Sequence, residues 1–188
     1  MKESKDQIVR SCKQSGFTLI EMLIVIIILG ILAMIIIPQI TVSTEDAKVS
    51  TLKANLTGMR SAIEVYYAQH NMTYPGVKTD GTNAAGSAAA FISQLTQFTN
   101  AEGQVSGTKT VTHIYGPYIK GGVLPANPFI ADTTKNNLVS VAATADVTLP
   151  RALLEGSVNG WAYLPAIGIF YANDSGSSGS PATAHSTY

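Results

Sequence analysis

The chain has 188 residues, equal numbers of basic and acidic side chains, and 46% apolar residues, enough for one domain beyond any terminal segments. The charge is unevenly placed, with four basic residues (Lys2, Lys5, Arg10, Lys13) against two acids (Glu3, Asp6) in the first 16 positions and an acidic excess of two thereafter. A broad basic surface is absent, which argues against nucleic acid as a partner, and the single cysteine, Cys12, excludes a disulfide framework.

Residues 1–16 read as a polar leader. From Met22 to Ile37 no side chain is polar, and Gly30 is the only interruption. The 24 residues from Phe17 to Ile40 would make a helix of roughly 36 Å, enough to cross a hydrocarbon core of about 30 Å. The basic flank places the leader in the cytoplasm, and the run is too long and lacks a small-residue exit for a conventional secretory signal. Glu21 stands inside the apolar run, where a carboxylate requires a partner. One candidate is the positive end of the helix dipole. Another is the new α-amine that a cut after the small residue Gly16 would leave on Phe17.

Lys13-Gln14-Ser15-Gly16-Phe17-Thr18-Leu19-Ile20-Glu21 resembles the class III signal of type IV pilins and type II secretion pseudopilins. The resemblance implies that a prepilin peptidase cuts between Gly16 and Phe17 and methylates the Phe17 amine, and that Glu21 meets the N-terminus of an adjacent subunit during assembly.

Pro38 follows the run. It removes a helical hydrogen bond, as Gly30 weakens the helix through backbone entropy, so a kink is expected with the helix resuming after Thr41. The pilin resemblance adds that the segment from Gly30 to Pro38 melts in the filament. Leu52, Leu56, Met59, Ile63 and Tyr66 or Tyr67 then recur at the spacing of a one-sided amphipathic helix. Its end is expected near Asn71, ahead of Tyr74-Pro75-Gly76.

Beyond it, residues 76–90 read as a loop leading into a short helix with Phe91, Ile92, Leu95 and Phe98 on one face, and residues 100–110 as a polar loop. Gly116-Pro117-Tyr118 and Leu124-Pro125-Ala126-Asn127-Pro128 predict an irregular packed loop, and resemble the GPY and LP-x-x-P elements of the G-type pseudopilin. That pattern carries Asp and Trp near its second proline, where this chain has Asn127 and Phe129. Leu138–Val141 reads as a short strand, and Gly160–Leu164 with Ile167–Ala172 as a β-hairpin around Pro165-Ala166.

The expected fold is α+β, a pilin-like lollipop: a long N-terminal helix, transmembrane in its first half, packed against a small antiparallel sheet. Its parts are a cleaved leader (1–16), a transmembrane and filament-core helix (17–40), an amphipathic half (41–73), a periplasmic head (74–172) and a Ser/Gly-rich flexible tail (173–188).

Chemistry-bearing constellations are missing. His70, His113 and His185 are dispersed and offer no zinc spacing. No phosphate-binding loop or nucleophile elbow occurs, so a non-enzyme is expected. By family resemblance a calcium site is implied after the sheet, for which Asn173, Asp174 and Ser175 are the candidates; a bare exposed tail is the competing reading.

The resemblance implies a subunit of a periplasmic type II secretion pseudopilus, polymerising with copies of itself and with minor pseudopilins. An inner-membrane platform and its cytoplasmic ATPase would drive the assembly. The alternatives are a type IV pilin of a surface filament (adhesion, motility or DNA uptake) and a signal-anchored periplasmic binding module.

Overall fold

The computed structural model describes residues 16–142 and 159–174, the backbone of 177–178 and 183–184, and for 35–43 the backbone alone. The chain divides into two compact units, Met1–Ser43 and Thr44–Tyr188.

Helix α1 spans Leu19–Gln69. Its helical backbone is unbroken through Gly30 and Pro38, so the expected resumption after Thr41 is corrected. A proline removes one donor, and helix propagation on both sides tolerates that loss more easily than a second nucleation. In the first unit every residue from 16 to 34 is exposed, an apolar surface on all sides of the helix. Among the described residues no helix is long and apolar enough to cross a membrane; the apolar run continues into residues 35–37, whose side chains lie outside them.

In the second unit the predicted stripe is the core face. Leu52, Leu56, Met59, Ile63 and Tyr66 are all buried. The helix closes where expected, with Asn71 and Met72 in the left-handed region (φ 52° and 54°) and the Met72 N–H donating to Tyr67 O at 3.1 Å. That bond is the 6→1 closure of a Schellman motif.

Helix α2, Ala88–Thr96, starts at Ser87, whose side chain accepts from the Ala90 N–H. It buries Phe91 and Leu95. Phe98 does not share this face: Gln97 is extended (φ −119°, ψ 174°) and ends the helix. Phe98 lies in strand β1 (Phe98–Thr99), paired antiparallel with β2 (Val105–Ser106). The stretch read as a polar loop is thus the return arm of a small hairpin, its turn held by Asn100 Oδ1 accepting from Glu102 N and Gln104 N.

The main sheet has the order β3 (Val139–Val141), β4 (Trp161–Leu164), β5 (Ile169–Ala172). Strands β4 and β5 form the predicted antiparallel hairpin, from Trp161↔Ala172 to Leu164↔Ile169. Its turn needs Gly168, at φ +70°, because a Cβ there would collide with the Tyr74 ring. Strand β3 runs parallel to β4, in register Val139↔Trp161, so the sheet is mixed rather than purely antiparallel. A parallel pair cannot be closed by a tight turn, and the connection passes through residues outside those described. In the Ser/Gly-rich end, read from the sequence as a flexible tail, β6 (Ser177–Ser178) pairs with β7 (Thr183–Ala184).

Trp161, Tyr163 and Phe170 project from the sheet into one cluster with the α1 stripe, Phe91 and Leu95. The Phe91 and Tyr163 rings are 4.2 Å apart between centroids, and those of Trp161 and Phe170 5.3 Å. The GPY loop joins this core through Tyr118 N and Ile119 N, both donating to Leu95 O at 2.9 Å.

His70 closes the core at the end of α1. It is 1% exposed, stacked 3.7 Å from Tyr66, with Nδ1 donating to Tyr66 O and Nε2 facing Thr99 Oγ1. Burial holds its pKa below the usual imidazole value, opposed by its hydrogen bond to Tyr66. The unfolded chain therefore takes up a proton at about pH 6.5 that the fold resists. Stability should be full well above that pH and decline as pH falls through it. Unfolding curves on either side of it should show the decline in the parent and a flatter response in His70→Phe, which keeps the stacking and loses the titration; equal slopes would refute the assignment.

Candidate functional site

Helix α1 does not begin at its first apolar residue by chance. Thr18 precedes it, and its hydroxyl oxygen accepts from the Glu21 N–H at 3.3 Å. Glu21 reaches back, its Oε2 accepting from the Thr18 N–H and from the Thr18 hydroxyl, each at 2.9 Å. This reciprocal pair is a capping box, which satisfies two of the donors that a helix N-terminus leaves open. In this chain taken alone, the Glu21 carboxylate is held by the residue three positions before it. Thr18 is not among the residues the sequence reading singles out, although Thr-x-x-Glu ahead of an apolar run is the signature of this cap.

Gly16 and Phe17 lie just before the cap, in non-helical backbone, and both are exposed. Among the described residues, no atom beyond its chain neighbours lies within 4 Å of where a Gly16 Cβ would stand, so their packing makes no demand for glycine there. Phe17 is 79% exposed. Cleavage after Gly16 would thus act on an open, non-helical stretch beside a rigid helix start, and the new amine would stand next to the Thr18 N–H that Glu21 already accepts. Gly30 is helical and also has open space around its Cβ position. Pro38 is helical in backbone, and its side chain lies outside the described residues.

The candidates for calcium lie elsewhere, at the end of β5. The Asn173 side chain donates to Asn159 O, and the Asp174 carboxylate accepts from the Asn127 amide at 2.8 Å. Ser175 falls outside the described residues. One carboxylate, already facing an N–H donor, is a poor match to a cation that takes six to eight oxygens; Asn173 and Asp174 by themselves do not fit the ion. Among the described residues, no three His, Cys, Asp or Glu side chains gather in a metal-binding group. His113 is engaged with Thr110 and Thr112.

Residues 11–37 match the family described as the prokaryotic N-terminal methylation motif. The start of this chain carries the prokaryotic N-terminal methylation motif. Its boundaries take in Gly16, Phe17, the Thr18–Glu21 cap and the apolar run together. The chain is also similar to type II secretion system core protein G of Pseudomonas aeruginosa, 39% identical over 66 residues, covering 35% of this chain and 46% of that protein. A fimbrial protein of Neisseria meningitidis is 42% identical over 74 residues, covering 39% of this chain and 43% of the relative. Core protein G of Aeromonas hydrophila is 36% identical over 63 residues, or 34% and 43%. The aligned stretch spans less than half the length of these relatives. No solved structure matches significantly. By their names these relatives are secretion-system core proteins and a fimbrial protein, and none of the names is that of an enzyme.

Proposed function

We propose that this chain is a structural subunit of a type II secretion pseudopilus, anchored in the bacterial inner membrane with its head in the periplasm until it polymerises. The observation that carries the reading is the methylation motif continuing into the first part of α1, where the side chains from Met22 to Met34 are apolar and all exposed. Burying one such Ile or Leu contributes about 1.5–3 kcal/mol, so a helix of this composition requires lipid or identical neighbours around it. Lipid serves the single subunit, and the filament core replaces lipid when the subunit is extracted.

In this reading a prepilin peptidase removes residues 1–16 and methylates Phe17, and Glu21 then serves an incoming amine as well as its own helix. An inner-membrane platform and its cytoplasmic ATPase supply the extraction, and minor pseudopilins complete the fibre. The segment from Gly30 to Pro38, helical in the single chain, is where the fibre would lose helix on assembly, since it combines the residue of greatest backbone entropy with one lacking a donor.

Secretion is favoured over a surface filament by the GPY and LP-x-x-P elements, which anchor to the core through Leu95 O and Trp161, and by the absence of cysteine beyond Cys12. The similarity to a fimbrial protein supports the second reading, a type IV pilin of a surface filament. The two separate in one experiment, the culture-supernatant proteome of a strain lacking this chain. Loss of a set of exoproteins, trapped in the periplasm, is the expected result. An unchanged supernatant with loss of surface fibres would favour the pilin.

A further inference from the structure

Asn127 is fully buried and polar, and its backbone and side-chain polar groups are engaged. Its backbone N–H donates to Asn136 O at 2.8 Å. Its side-chain Oδ1 accepts from the Phe129 N–H at 2.9 Å. Its Nδ2 donates both to Gly160 O at 2.9 Å and to Asp174 Oδ2 at 2.8 Å. The three side-chain bonds fix the orientation of the amide, because only the oxygen can serve Phe129 and only the nitrogen can serve a carbonyl and a carboxylate. One side chain thus ties three separate stretches: the loop after Pro125, the entry to β4 and the exit of β5.

We propose that the Asn127 amide is a metal-independent clamp that fastens the exit of β5 to the rest of the sheet, in the place where a carboxylate at position 127 would require a cation. The physical argument is charge. Asp174 Oδ2 faces an N–H donor at hydrogen-bond distance. An aspartate at 127 would put oxygen against oxygen and two negative charges in a part-buried site, an arrangement that demands a proton or a bridging cation. It would also take from Gly160 O its side-chain donor, leaving it only the Asn173 N–H at 3.0 Å. The room is fixed as well, since a Cβ on Gly160 would run into Asn136 O and close on Asn127 Cβ. The clamp is chemically durable: the following residue is Pro128, which has no N–H to attack the side chain and convert the amide to an acid. This inference does not depend on which filament the chain builds.

The test uses the full chain in detergent, with unfolding followed through Trp161, the only tryptophan, which is buried and donates from Nε1 to Pro125 O. Melting is compared in EDTA and in calcium at about 1 mM, the range in which extracellular modules bind it. The parent is expected to melt at the same temperature in both. Asn127→Asp should fall by about 5 °C in EDTA and recover in calcium. The swapped pair, Asn127→Asp with Asp174→Asn, should regain part of the loss in EDTA and show no calcium response. Asp174→Asn alone, which keeps an amide–amide pairing, should behave as the parent does. A parent that melts lower in EDTA and is restored by calcium would overturn the proposal. So would an Asn127→Asp chain that matches the parent, or one lowered equally in both conditions.

Discussion

Replacing Gly16 with leucine is expected to leave the membrane-bound chain at full length, retaining Met1 and an unmethylated Phe17. The expectation is sharp because the fold itself has no use for glycine at this position. Among the described residues nothing beyond its chain neighbours stands within 4 Å of a Cβ at Gly16, so the described structure raises no packing objection to a side chain there. Any block must then come from a recognition surface that admits no side chain. Intact-mass and N-terminal analysis of the purified membrane protein would decide it. The parent should begin at Phe17 with an added methyl group, and Gly16→Leu should begin at Met1. Gly16→Ala, one methyl larger, should be processed slowly. A Gly16→Leu chain cut as fast as its parent would remove the processing assignment, and with it the reading as a filament subunit. A parent that also retains Met1 in its native host would favour a simple signal anchor.

What the sequence conveys and what it withholds follow from the kind of signal each element leaves. The stripe of Leu52, Leu56, Met59, Ile63 and Tyr66 is legible because a buried helix face repeats its period over four successive turns. The α1 terminus is legible because Asn71 can occupy left-handed backbone. Phe98 misleads for the same reason the stripe informs: three residues after Leu95, it fits a helical face, and only the extended Gln97 reveals that the helix has ended. The direction of β3 is illegible, because alternation of side chains is the same whether a strand runs with or against its neighbour. At the candidate site, Glu21 is conspicuous by hydropathy, whereas Thr18 stays hidden as long as a partner for the carboxylate is sought among charges. At Asn127 the sequence shows only that the carboxylate of the pseudopilin pattern is missing. What stands in its place, one amide making three hydrogen bonds across distant stretches of chain, takes the folded arrangement to reveal.

Glu21 caps its own helix, and the further role proposed for it is to partner an amine; the choice of substitution separates the two. Glu21→Ala removes both. It should spare cleavage, since Gly16 and Phe17 are untouched, and reduce the yield of sheared filaments by roughly tenfold or more. The cap alone could not cause so large a loss: removing a capping side chain costs about 1 kcal/mol, and neighbouring subunits in a fibre would hold the helix start in any case. Glu21→Gln is the decisive variant. A capping box accepts Gln as readily as Glu at this position, so the bond to the Thr18 N–H survives while the charge is lost. Thr18→Val is its converse, deleting the hydroxyl and keeping the carboxylate. If the carboxylate neutralises a neighbour's amine, Glu21→Gln should fail to assemble nearly as badly as Glu21→Ala, and Thr18→Val should retain most of its filaments. If Glu21 serves only its own helix, the order inverts: Glu21→Gln should assemble normally, and Thr18→Val should share the mild defect of Glu21→Ala. Filament yield, with N-terminal methylation as the second readout, distinguishes the two, because a carboxylate without a counter-charge is tolerated in a membrane interface but not in a packed core.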